Sequence, residues 1–126
     1  MEDTSLKPTI DVPAGDPPAE LVIEDLVVGD GAEAQPGAVV NVDYVGVSWS
    51  TGTEFDASWN RGDFFSFALG GVMVIQGWEE GVAGMKVGGR RRLTIPPRLG
   101  YGAQGAGGVI APNETLIFTV DLRGLG

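Results

Sequence analysis

The chain has 126 residues and a formal charge of −9, with 17 acidic and 8 basic side chains and neither cysteine nor histidine. This length makes a single domain able to bury roughly two-thirds of its unfolded surface. The missing residue types exclude disulfides, thiol and histidine-based catalysis, and cysteine- or histidine-ligated metals, and no cofactor is expected.

Residues 1–18 hold four of the eight prolines (Pro8, Pro13, Pro17 and Pro18), four acids and one lysine. Such a segment buries little, so it reads as a flexible acidic leader, leaving 19–126 as the folded domain. Leu21–Val28 is a β-branched run closed by the turn signal Gly29-Asp30-Gly31. After Pro36-Gly37, Val39–Trp49 alternates, with Val40, Val42, Tyr44 and Gly46 on one face and Val39, Asn41, Asp43, Val45 and Val47 on the other. Thr51-Gly52 turns the chain into the short extended piece Glu54–Asp56, and Phe64–Leu69 is a further strand with Phe65 and Phe67 on one face.

Residues 75–83 form the only credible helix, with Trp78 and Val82 spaced i, i+4. Its two glycines each cost about 1 kcal/mol of helix propensity, so packing must hold it. Arg91–Ile95 is a strand stopped by Pro96-Pro97, residues 98–114 are a glycine-rich flap, and Thr115–Leu122 is a last alternating strand with Leu116, Phe118, Val120 and Leu122 on one face. The pattern predicts an α+β fold: about five antiparallel strands curved around one short helix.

Several motifs are decoys. Gly100-Tyr101-Gly102-Ala103-Gln104-Gly105 spells GxGxxG, but a dinucleotide site needs a helix to start there, and Ala106–Pro112 is no helix. Arg90-Arg91-Arg92 alternate across a strand, so they make no single patch, and their stems are expected to cover apolar surface. The acidic balance argues further against nucleic acid and anionic membrane, and no apolar run approaches the ~20 residues of a membrane span. Met1-Glu2-Asp3 lacks the features of a secretory signal, so a cytoplasmic monomer is expected. Glu79 and Glu80 are adjacent on the helix and do not point together, so they read as a solvated face and not as a glycosidase pair. Trp59 fits either an exposed rim aromatic or a packed one.

What remains is aromatic. Tyr101 lies between glycines on a loop where core packing does not demand it, and Phe55-Asp56 lies beside a turn, a placement that suggests a pocket. An ordered set of motifs spans residues 20–124: Val42-Asp43-Tyr44-Val45-Gly46, Phe55-Asp56-Ala57-Ser58, Phe65-Ser66-Phe67, Val74-Ile75-Gln76-Gly77-Trp78-Glu79-Glu80-Gly81, Met85-Lys86-Val87-Gly88, Leu93-Thr94-Ile95-Pro96-Pro97, Tyr101-Gly102 and Leu116-Ile117-Phe118. Their order and spacing resemble the FKBP-type peptidyl-prolyl cis-trans isomerases, in a small single-domain form. The resemblance implies a five-stranded antiparallel half-barrel wrapped round one helix, and rotation of X-Pro bonds in proline-containing peptides and unfolded proteins. It implies Trp78 as the pocket floor, Tyr44, Phe55, Phe65 and Phe118 as walls, and Val74, Ile75 and Ile110 along the rim. It places Asp56 at the wall, the Tyr101 hydroxyl on a substrate carbonyl and the Ile75 N–H as a second donor, and it implies immunosuppressant-type macrolides as ligands of the same pocket. A binding module with little turnover is the alternative. A half-buried Asp56 needs a partner, and Arg61 and the Tyr44 hydroxyl are the expected ones. The flap segment Ala106-Gly107-Gly108 departs from the bulkier residues of many relatives, which bears on substrate preference.

Overall fold

A computed structural model describes residues 3–126. Each period-2 apolar run of the sequence is extended: β1 (Val22–Val27), β2 (Val39–Ser48), β3 (Glu54–Ala57), β4 (Phe65–Ala68), β5 (Arg90–Ile95) and β6 (Leu116–Leu125). One helix, α1 (Gln76–Val82), lies between β4 and β5. All strand pairings are antiparallel, in the order β1-β5-β6-β2-β3, with β4 also on β2. β6 takes one flank of β2 from Val40 to Ser48. β3 pairs with Val45–Val47 and β4 with Val39–Val42. The two short segments therefore follow one another along the other flank, and six segments occupy five places. The loop between them carries the 3-10 turn Ser58–Asn60 and then Arg61.

The helix is short and rich in glycine because it sits unusually close to the sheet. A Cβ at Gly77 would stand 2.6 Å from the Ile95 side chain, and one at Gly81 would stand 2.6 Å from Leu93. Both positions need the missing side chain, so their low propensity is offset by burial of Trp78 and Val82 against β5. Arg91 Nη1 donates to the carbonyls of Gly81 (2.9 Å) and Ala83 (3.1 Å), satisfying acceptors that the helix leaves open at its C-terminus.

The inner face of the sheet is the core: Val40, Val42 and Tyr44 of β2, Leu93 and Ile95 of β5, and Leu116, Phe118, Val120 and Leu122 of β6 are all buried. Strict alternation would leave the opposite face wet, yet Val45, Val47, Ile117, Thr119 and Asp121 are buried too. Residues from the N-terminal segment lie there. The Leu6 carbonyl accepts from Arg90 Nη2 at 2.7 Å and the Thr4 carbonyl from Arg123 Nη2 at 2.6 Å. Pro8 and Ile10 border a cleft with Val45 and Val47, and Lys7 Nζ pairs with Glu54 at 2.9 Å. The first two leader residues lie outside the described residues.

The arginine triplet also differs from the expected cover of apolar stems. Arg90 is buried, and its Nε donates to the buried carboxylate of Asp121 at 2.6 Å. Arg91 Nε pairs with Asp25 at 2.7 Å. Two of the three are thus fixed by carboxylates on neighbouring strands, the arrangement that a buried charge requires.

Candidate functional site

Trp78 anchors the site because α1 presses its indole into the concave side of the sheet, where it is 4 % exposed. Four rings surround it. Tyr44 from β2 lies at 4.9 Å between centroids and 81°, and Phe118 from β6 at 5.2 Å and 89°. Phe65 and Phe67 from β4 lie at 5.9 and 5.7 Å. Phe55 from β3 meets Phe118 edge-on at 5.5 Å and 89°. Edge-to-face pairing of this kind fixes ring orientation as well as area. The rings leave a cup of about 250 Å³, lined by Tyr44, Phe55, Asp56, Phe65, Trp78 and Phe118 and closed at its edge by Met73, Val74, Ile75 and Tyr101. That is smaller than the roughly 300–1,000 Å³ of a drug-sized site.

One polar network borders the cup. The Tyr44 hydroxyl donates to Asp56 Oδ2 at 2.5 Å and accepts from Arg61 Nη2 at 2.7 Å, while Arg61 Nη1 donates to Asp56 Oδ1 at 2.8 Å. The three groups close a ring, and the Arg61 guanidinium also lies 5.7 Å from the Tyr44 ring centroid. Burial, reinforced by the bond to Asp56, pushes the Tyr44 phenol up to about 12. Burial would raise the Asp56 carboxyl, but the bonds from Tyr44 and Arg61 outweigh it and hold it below its ordinary value. Near neutral pH, Asp56 stays ionised and Tyr44 stays protonated, so neither is poised to exchange a proton.

Two donors at the cup edge are unspent. The Tyr101 hydroxyl makes no hydrogen bond among the described residues, and burial with the nearby Asp56 charge raises its pKa, so it remains a donor. The Ile75 N–H also lacks a partner among the described residues, although the Ile75 carbonyl accepts from Trp78 and Glu79. The Trp78 indole N–H has none either, so the floor is not tied up by a polar bond.

The sequence-predicted set is therefore brought together, with one exception. Ile110 is not among the residues that line the cup. It is 5 % exposed in the core beneath the flap, where it exchanges backbone bonds with Ala106 at 2.9 and 3.0 Å. It borders a larger, more polar cleft of about 710 Å³ that shares only Phe55 with the cup. Phe55 is the one aromatic ring on that cleft, whereas Tyr44, Phe55, Phe65, Trp78, Tyr101 and Phe118 converge on the cup, so the cup is the better candidate site despite its size. The flap carries 3-10 turns at Pro97–Leu99 and Gly102–Gln104 and no α-helix, which removes the structural requirement of the GxGxxG fingerprint.

Trp59 turns away from the cup and packs under Arg123, 5.4 Å from its guanidinium carbon. Glu80 is solvated, but Glu79 is not: it is half-buried, and its Oε2 accepts from the Gly70 N–H at 2.6 Å. Met73 was missed by the sequence reading, and its position one residue before the Val74-Ile75 motif was the available signal.

Comparison with known proteins agrees with this geometry. A family model described as FKBP-type peptidyl-prolyl cis-trans isomerase matches residues 31–123. An FK506-binding protein of Streptomyces anulatus is 62 % identical over 117 residues, covering 92 % of this chain and 94 % of the relative. A probable FK506-binding protein of Corynebacterium glutamicum is 54 % identical over 116 residues, covering 92 % and 96 %. Among solved structures, AtFKBP13 superposes with a TM-score of 0.78 at 38 % identity, covering 84 % of this chain and 93 % of that one. FkpA from Escherichia coli superposes with a TM-score of 0.75 at 42 % identity, covering 83 % and 47 %.

Proposed function

The chain belongs to the FKBP-type peptidyl-prolyl cis-trans isomerases, enzymes that rotate the X-Pro bond, and from that premise we propose that the aromatic cup seats the proline while its two free edge donors hold the neighbouring carbonyls. The observation that carries this reading is the pairing of a bare aromatic floor with the unbonded Tyr101 hydroxyl and Ile75 N–H, beside a carboxylate already locked by Tyr44 and Arg61.

The reaction needs no nucleophile. Turning the X-Pro bond breaks amide resonance at a barrier of about 18–20 kcal/mol, so the uncatalysed step takes tens of seconds or more. The planar amide is more charge-separated than the twisted one, and water stabilises it more. A cup that strips this water raises the ground state relative to the transition state, which is differential binding. Desolvating one amide is worth about 1–3 kcal/mol, and each tenfold in rate needs about 1.4 kcal/mol, so desolvation supplies one or two decades. The rest falls to holding the flanking peptide in a twist-ready turn through Tyr101 and Ile75. Asp56 acts at one remove, by fixing Tyr44 and the wall it belongs to.

A protease-coupled or NMR-exchange assay on a short X-Pro peptide tests the reading. Acceleration at micromolar protein is expected, and its absence leaves only a binding module. We also propose that the cup takes FK506-type macrolides, supported by the names of the two bacterial relatives. Competitive inhibition of turnover by FK506 is the expected result.

A further inference from the structure

Val72 stands in the left-handed backbone region, at φ +56°, with its side chain 85 % exposed. A β-branched residue is strained there because its Cβ crowds the backbone, whereas glycine or asparagine fits at little cost. The protein interior does not reward the valine, since its side chain faces water. The segment is also pinned on both sides. Before it, the Gly70 N–H donates to Glu79 at 2.6 Å and the Gly71 N–H to the Ala68 carbonyl at 3.1 Å. After it, Val74 and Ile75 pack against the core. Strain that is held in place at the edge of a binding site is a reason to look for a role. Next in sequence, Met73 is 65 % exposed and still lines the cup.

We propose that Val72 and Met73 form an apolar capture rim, which binds apolar side chains of an unfolded polypeptide beside the cup whether or not a proline is among them. An unfolded chain is the occupant because the rim is continuous with the cup, and this step rests on the isomerase reading of that cup. A folded partner would need roughly 800 Å² of complementary surface on each side, far more than two adjacent side chains offer. A flexible chain needs only local contacts. Methionine suits that task, since its unbranched thioether adapts to different side chains.

The test uses the full chain and a fluorescein-labelled, proline-free decapeptide of Leu and Val spaced by Ser and Gln, titrated by anisotropy. Saturable binding to the wild type is expected, with Val72→Asn and Met73→Gln each weakening it roughly fourfold or more, the effect of withdrawing at least one methylene from contact. Val72→Asn should also raise Tm, because asparagine tolerates the left-handed region. No binding by the wild type, or binding that survives both substitutions, overturns the proposal. So does a lower Tm for Val72→Asn, which would mean that the valine serves the fold. X-Pro turnover is measured on the same preparations. Turnover without proline-free binding sinks the rim and leaves the isomerase reading standing. Val72-dependent binding without turnover sinks that reading and leaves the rim.

Discussion

Gly46 offers a test in which local rules and the cup give opposite signs. It lies in β2, opposite Phe118 of β6 and Asp56 of β3. Glycine is a poor strand residue, and replacing it with alanine at a compatible site gains about 0.4–1 kcal/mol by restricting the unfolded chain. This site is not compatible. A Cβ at position 46 would stand 2.6 Å from Phe118 Cε1, 2.7 Å from Phe55 Cζ and 3.0 Å from Phe118 Cδ1. Phe118 has little room to give, because it is wedged edge-on against both Trp78 and Phe55. Overpacking of this kind costs about 1–3 kcal/mol. After the local gain, Gly46→Ala should lose about 1–2 kcal/mol, a fall in Tm of about 4–8 °C. The loss of activity should be larger than the stability suggests. Both displaced rings are cup walls, and a misplacement of about 1 Å can cost 10²-fold. Thermal unfolding and X-Pro exchange on one preparation read both numbers at a temperature where the variant is folded. A Gly46→Ala protein with wild-type Tm and full turnover would refute the argument that the glycine exists to let Phe55 and Phe118 meet.

Four further outcomes follow from the same geometry. Tyr101→Phe should leave stability within about 0.5 kcal/mol, since its hydroxyl has no partner to lose, and should lower kcat/KM about three- to tenfold; Trp78→Ala should cost about 3–5 kcal/mol and most activity, as thermal and kinetic measurements would show. Because the folded Tyr44 phenol is raised from 10.0 to about 12, the folded state holds its proton longer than the unfolded chain, so stability should fall as pH rises from 10 towards 12. A spectrophotometric titration at 295 nm against urea midpoints checks this, and Tyr44→Phe should flatten the alkaline limb. Asp56 has the opposite sign: its folded pKa lies below 3.8, so its contribution is present above that value and is lost as pH falls through the folded pKa, and Asp56→Asn should remove that part of the acid limb in denaturant titrations.

The strands were legible because half-buried sheet imposes period 2, and Val40, Val42 and Tyr44 point inward as the alternation of β2 requires. The cup was legible because motifs distant in sequence preserve the rings in order. The misreadings have a common cause, which is that sequence carries little information on depth. Ile110 lies among flap glycines, and its burial in the core shows only in the folded structure. Glu79 looked solvated because its partner Gly70, in the turn that follows β4, is nine residues away. The two helix glycines looked like penalties because their reason is Ile95 and Leu93 on another element. The contacts of residues 4–10 with Arg90, Arg123 and the Val45–Val47 face of the sheet were not legible either, because composition describes that segment without saying where it lies.

The position of Asp56 explains how an acidic protein keeps an apolar site. An unpaired carboxylate in the cup wall would attract water and act as a polar competitor for the substrate amide, which would undo the desolvation on which rotation depends. Moving it out of the wall is not required if its hydrogen bonds are already met. Arg61 and Tyr44 meet them, and the Tyr44 ring that shares in these bonds lies 4.9 Å from Trp78. The role proposed for the carboxylate is therefore to organise the aromatic wall. On the proposed reading, the Tyr101 hydroxyl and the Ile75 N–H are the edge donors that hold a peptide in the turn, so the polar and apolar parts of the cup would work on different features of the same amide.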